Sequence, residues 1–435
     1  MVWRIDDFAG FRCCKRTTTG DWGIVLRKLF FGWVVVAAAF VVLMATYGLH
    51  YGYGVFLPHM AKEFQVGYST LSAPFSIYLA LYTLLSLVTG RLTDRFGPRL
   101  VVLAGGVFLG TGYGLLGYVR EIWQLYLALC LVAALGMSAA FIPISATVIK
   151  WFVRRRGLAL AIVATGNAAA AIFGPGLASY LIPLLGWRTA ITTLALVVGV
   201  LICGSALLLA QSPEALGLRP DGDNANGKHG HPTNKTRSKP EPAWTLREAL
   251  STTAYWVMLL TFLVSWFTLF LPYLHLPTLL SDIGHSPARV TQVIGAMGVG
   301  GLIGRFAVGW LSDSIGRVLS LHAALVLQIL ACLIFSQSQS HITLGLAGMM
   351  FAAGSSSATI MYLAIVGDTF GRLHAGALSG FIFAVAGSLS AAGPYIAGVL
   401  RDETGNYQLT FLLAAGCNVV AVIIFLFFRP PQSTG

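Results

Sequence analysis

The sequence predicts an all-α membrane protein, with twelve transmembrane helices in two pseudo-symmetric six-helix bundles. Three observations predict it. The 435-residue chain is 56% hydrophobic and 10% charged, against the roughly 25% charge of a soluble domain. Apolar runs of about 20 residues, the length that crosses a bilayer, recur twelve times. The second half also repeats the first. Gly90-Arg-Leu-Thr-Asp94-Arg95-Phe-Gly97 returns 219 positions later as Gly309-Trp-Leu-Ser-Asp313-Ser-Ile-Gly316, and at the same offset Pro58 pairs with Pro277, Gly157 with Gly376, Gly174-Pro175 with Gly393-Pro394, and Gly186 with Gly405. Duplication in an apolar chain marks membrane proteins whose halves rock about a central site.

Residues 1–28 are polar and basic and precede a helix too long for a signal peptide and lacking a small-residue cleavage site, so they read as a tail. Helix one, 30–56, is Gly-rich and sets Tyr47, His50, Tyr51 and Gly54 on one face by spacings of three and four. Helices two and three, 70–90 and 100–118, flank the first copy of the repeated loop. Helix four, 122–149, is apolar and runs into the basic segment ahead of helix five, 157–182. That helix carries Asn167 and Gly174-Pro175, where a missing N–H bends the backbone and a missing side chain lets it pack tightly across the bundle. Helix six, 188–210, completes a first bundle of 29–210. The hydrophilic stretch 211–247 cannot bury enough apolar area to fold alone and reads as a tether. Helix seven, 252–280, is followed by helix eight, 290–311, an apolar run interrupted by Arg305. Helices nine and ten cover 318–336 and 341–366, with Tyr362 in the latter and Asp368 just beyond it. Helix eleven, 375–399, carries Phe381 and the second Gly-Pro pair but no Lys or Arg, and helix twelve, 407–428, closes a second bundle of 248–429 before the tail 430–435.

The net charge of +12 is distributed by side. Lys and Arg number 22 in the N-terminal tail, the even-to-odd loops, the linker and the C-terminus, five in the opposite loops, and one, Arg305, within a helix. This is the positive-inside pattern. It predicts a multi-pass protein of the cell membrane, a bacterial inner membrane, in contact with the lipid bilayer and with both termini cytoplasmic. A nucleic-acid partner is not expected. Cys130, Cys203, Cys332 and Cys417 lie in apolar helices, where Cys acts as a small hydrophobe. His229 and His231 have no Cys or carboxylate neighbours at metal-ligand spacing. With no metal cluster, nucleophile arrangement or phosphate-binding loop in the sequence, neither an enzyme nor a cofactor is expected.

The loop Gly90 to Gly97 resembles the signature of the major facilitator superfamily, and its second copy extends that resemblance from about residue 30 to 428. In that family the loop aspartate latches one half to the other at the start of a helix. Carried over, the latch comprises Gly90, Asp94, Arg95 and Gly97 with Gly309, Asp313 and Gly316, Asp94 meeting helix eleven near Gly376 and Asp313 meeting helix five near Gly157. The second copy has Ser314 in place of the arginine. Trp151-Phe-Val-Arg-Arg-Arg156-Gly-Leu-Ala-Leu-Ala161 is similar to a segment of monocarboxylate transporters. In that group, and in the related oxalate-formate exchangers, an arginine on helix eight binds the substrate carboxylate, which Arg305 matches. The exchangers add a second cation on helix eleven that this chain lacks, so the resemblance implies a single carboxylate, as in lactate or pyruvate. Animal members carry a lysine near Tyr51 and an aspartate where this chain has Gly301, so their proton relay does not carry over.

Arg305 also stands out without the family. It lies eight residues before Asp313, about 12 Å along the helix axis. Intramembrane charge costs at least about 2.5–3.5 kcal/mol, so it must face a cavity, a partner or a ligand. No acidic residue sits at that depth, and Gly298 and Gly301 leave the adjacent face uncluttered. A guanidinium can grip a carboxylate through two parallel hydrogen bonds; it can also snorkel or bond backbone carbonyls. Tyr47, Tyr51, Asn167, Tyr362 and Phe381 are further pocket candidates, and His50 and Asp368 are candidates for carrying a proton. The expected partners are a small carboxylate and a proton, bound by a monomer. Exchange of organic anions and ligand sensing without transport remain alternatives.

Overall fold

A computed structural model describes residues 30–152, 156–219, 244–371 and 375–431, apart from some side chains named below. Among them are twelve helices long and apolar enough to cross a membrane: α1 Phe31–Phe64, α2 Tyr68–Thr93, α3 Pro98–Tyr118, α4 Ile122–Trp151, α5 Leu158–Leu185, α6 Trp187–Leu207, α7 Thr253–Asp282, α8 Pro287–Val308, α9 Arg317–Gln337, α10 His341–Phe370, α11 Leu378–Thr404 and α12 Gln408–Leu426. All twelve expected helices are present. α1 runs eight residues further than expected because Pro58 sits within it without ending it. α11 is likewise longer than expected.

The duplication extends to the backbone. Gly97 and Gly316, related by the repeat, turn the chain at φ of 83° and 88°, a region that residues with a β-carbon rarely adopt. This explains the glycine that closes each loop signature. The halves diverge in continuity. α1 is unbroken, whereas α7 stops at Phe267 and resumes at Leu271. Pro272, in the first turn of the second segment, has no N–H to give Thr268. α11 is interrupted at Ala391, where Pro394 lies one turn on, while α5 continues through Pro175.

As expected, each Gly-Pro pair packs its helix closely against another helix of its own bundle. Gly174 of α5 lies on the Gly48 backbone of α1, and Gly393 of α11 lies on the Phe267 carbonyl of α7. Contact between halves is made by α1 with α7, α2 with α11, and α5 with α8. At the end of the bundle opposite the loop signatures, this contact is both steric and polar. A β-carbon on Gly54 would lie 2.6 Å from the Leu274 carbonyl oxygen. The Asp402 carboxylate on α11 accepts from the backbone N–H groups of Tyr68 and Ser69 at 2.9 and 2.8 Å. It thereby caps a helix of the other half, whose first N–H groups have no partner of their own. Across the halves Tyr68 donates to Asp282 at 3.3 Å, and Arg401, which pairs with Asp282 inside the second half at 2.9 Å, lies 5.5 Å over the Tyr68 ring. Glu63, which the repeat relates to Asp282, pairs inside its own half with Arg188 at 2.7 Å.

These contacts close that end. Asp402→Asn is expected to weaken the cap by about 1 kcal/mol, a solvent-discounted loss of charge-assisted bonding. Hydrogen exchange across the first turn of α2 should then accelerate about fivefold. Unchanged exchange there would mean the carboxylate does not hold the halves together.

Candidate functional site

A cavity of about 160 Å³ lies between the halves, lined by α1, α2, α4 and α5 from the first and α7, α8, α10 and α11 from the second. Its position follows from how α8 packs. Gly300 and Gly304 rest on the Met349 and Ala353 backbone of α10, and Ser357 donates to the Gly304 carbonyl at 2.9 Å. This one-turn spacing turns the neighbouring face, with Gly298, Gly301 and Arg305, toward the cavity. Gly301 stays small against Ser356, whose Oγ would lie 3.1 Å from an added β-carbon. Gly298 also abuts Ile172 of α5, so it serves the contact between halves as well as the cavity.

Arg305 lines the cavity and donates through Nη1 to the Ala164 carbonyl on α5. Among the described residues no carboxylate pairs with it. One of its five N–H donors is thus on a backbone carbonyl of the opposite half. Tyr51 lines the same space and donates to Asn167 Oδ1 at 2.8 Å, joining α1 to α5. Tyr47 stands one turn away on the same wall. The structure therefore brings Arg305, Tyr47, Tyr51 and Asn167 together.

Other candidates lie elsewhere. Tyr362 turns from the cavity to meet the Phe262 ring edge-on at 4.5 Å. Phe381 packs beside Tyr255, whereas Phe383 lines the cavity. Two residues are about 200° around a helix, and an apolar helix does not reveal which side faces inward. His50 is 1% exposed and sits behind the lining, enclosed by Phe75, Tyr78 and Phe270, with Nδ1 3.4 Å from the Tyr78 hydroxyl. Asp368 is half exposed at the signature end, in an ion pair with Arg317 at 2.6 Å. The Asp94 and Asp313 side chains, with those near Gly157, Gly309 and Gly376, are outside the described residues. Gly90 approaches Ile142 of α4, and Arg95 lies 5.2 Å over the Phe96 ring.

The sequence reading missed Tyr273, whose ring lies 4.5 Å from that of Tyr51, and Ser355, Ser356 and Thr359 of α10. A signal for α10 was present, since Ser355-Ser356-Ser357 is a polar run inside an apolar span. Tyr273 is the repeat partner of Gly54, and only packing distinguishes the large residue from the absent one.

Residues 35–338 and 282–435 match the model of the Major Facilitator Superfamily. The chain belongs to the major facilitator superfamily. Within this superfamily it is related to monocarboxylate transporters. It is 28% identical over 423 residues to monocarboxylate transporter 13 of Bos taurus, covering 92% of each chain. It is 29% identical over 408 residues to monocarboxylate transporter 11 of Mus musculus, covering 91% of this chain and 87% of that one. Its fold resembles that of the nucleoside transporter NupG, with a TM-score of 0.69 at 12% identity over 92% of this chain and 100% of that one. A bacterial homolog of the human lysosomal transporter Spinster, in an inward-facing and unoccupied conformation, gives 0.66 at 12% identity over 92% and 95%.

Proposed function

We propose that this major facilitator protein moves small monocarboxylates, of the lactate or pyruvate kind, across the cell membrane by alternating access. The observation that carries the proposal is Arg305, a cation in a cavity between the halves with no carboxylate partner among the described residues. An incoming carboxylate supplies the missing counter-charge, and Tyr47, Tyr51 and Asn167 offer hydrogen-bonding groups beside it. Relatedness to monocarboxylate transporters supports the same head group. A single cation favours one carboxylate over two. The excess of Lys and Arg at the signature end supports a cytoplasmic position for that end, in which case the closed end of the structure would face outward. Asp94 and Asp313 would act as the latch at the cytoplasmic end, and the protein would act as a monomer.

Uptake of labelled pyruvate into vesicles, with and without internal anion, tests this reading. Uptake into empty vesicles identifies a porter, and strict dependence on internal anion an exchanger. Binding without flux would make the protein a sensor and overturn transport.

Proton linkage follows from the same assignment. His50 is enclosed by aromatic rings and does not line the cavity, so the proton would travel elsewhere, for instance on the substrate. His50→Gln should therefore keep the wild-type response of uptake to an imposed pH gradient. Loss of that response in a correctly inserted, transporting variant would return His50 to the mechanism.

A further inference from the structure

The cavity is asymmetric in chemistry. Its α1, α5 and α8 side carries Arg305, Asn167 and the hydroxyl-bearing rings of Tyr47 and Tyr51, joined by Tyr273 from α7. Its α4, α7 and α11 side carries rings with no hydroxyl: Phe141, Trp266, Phe270 and Phe383. These four rings pack as one continuous set. Phe141 and Phe383 stack across the halves at 5.7 Å with 5° between planes, Trp266 meets Phe383 edge-on at 4.7 Å, and Phe270 follows at 6.2 Å from Trp266. The cavity thus pairs one fixed cation with an aromatic wall.

Resting on the assignment of Arg305 to a carboxylate, we propose that the substrate is a monocarboxylate with a planar aromatic tail, such as an arylacetate or aryl-2-oxo acid. There is room for the ring itself: a cavity of about 160 Å³ is comparable to an engineered apolar cavity of about 150 Å³ that takes up benzene. Chemistry favours it as well. A two- or three-carbon acid satisfies the guanidinium but leaves the Phe and Trp faces against water or its own hydroxyl. A phenyl ring removes those faces from water and gains edge and stacking contacts with them. Tyr82 adds a further ring to the lining, and no second cation is present among the lining residues to hold another carboxylate.

Phenylpyruvate and pyruvate share the same carboxylate and keto group and differ only by the ring, so they isolate this question. Purified protein is titrated with each acid, and stabilisation against thermal unfolding gives the half-effective concentration. Phenylpyruvate should act at a concentration at least about tenfold lower than pyruvate, the equivalent of about 1.4 kcal/mol. Phe383→Leu should erase most of that preference, and a cooperative unfolding transition of the variant without ligand shows that the protein is folded. If both acids act equally and both responses vanish in Arg305→Ala, the aromatic preference is overturned and the monocarboxylate reading stands. If neither acid stabilises the wild type, the carboxylate reading itself falls, and the aromatic tail with it.

Discussion

Arg305→Ala is expected to cripple carboxylate binding, raising the dissociation constant at least about thirtyfold. Truncating one partner of a desolvated charge pair costs about 2–5 kcal/mol, and here the other partner is the substrate. Among the described residues Arg305 holds a backbone carbonyl, that of Ala164, across the halves and no carboxylate. A largely desolvated guanidinium without a counter-charge is relieved when an anion arrives, and that relief supplies both affinity and a preference for the occupied state. Arg305→Lys should recover little, because an ammonium is a point charge and cannot reproduce the two-pronged grip on a planar carboxylate. Neither change threatens insertion, since removing an intramembrane charge eliminates a cost. The measurement is uptake and thermal stabilisation by small carboxylates, with membrane insertion confirmed separately. Undiminished uptake by inserted Arg305→Ala protein would sink the substrate assignment while leaving family membership untouched.

Gly54→Val is expected to block transport by a different route. α1 and α7 cross so closely that a β-carbon at Gly54 would lie 2.6 and 2.8 Å from the Leu274 and Tyr273 carbonyl oxygens. These are backbone atoms, which cannot yield as a flexible side chain can. Overpacking of this kind typically costs about 1–3 kcal/mol, and the cost falls only on the state in which the two halves meet there. The equilibrium should therefore move about five- to 150-fold toward the state open at that end, slowing turnover at least about fivefold. Affinity measured from that end should stay within a few-fold, because Gly54 does not line the cavity. Faster labelling of a cysteine introduced as Ser76→Cys, whose Oγ normally accepts from the Tyr395 N–H at 3.0 Å across the halves, reports the opening. Wild-type labelling and turnover in Gly54→Val would show that the closed contact is not part of the cycle.

Much of the site was within reach of the sequence, for reasons that differ by residue. Arg305 was legible because a charge in an apolar span is costly wherever the helix faces. Tyr47 and Tyr51 were legible because four polar or small residues fell on one face of α1. His50 shared that face but turned to the α2 aromatics, since a face about 100° wide can serve two neighbours. Phe383 was hidden behind Phe381 because α11 is apolar on all sides and its rotation is set by what it packs against. The closed end was not legible at all. Asp282 and Asp402 fall just beyond the expected spans of helices seven and eleven, and nothing local links Asp402 to backbone groups 333 and 334 positions earlier in the chain.

The sequence alone determined the helix number, the duplication and the fold class. These follow from local properties: each span enters a bilayer by its own hydropathy and length, and the repeat is written residue by residue. It also marked Arg305 as a residue that needs a partner. Tertiary structure alone decided which rings form the apolar wall, that α7 and α11 break where α1 and α5 do not, and that the halves meet through Gly54, Asp402 and Arg401. Those features depend on how helices far apart in sequence rotate and approach one another. The sum of close contacts fixes that rotation, and no single helix carries it in its own pattern.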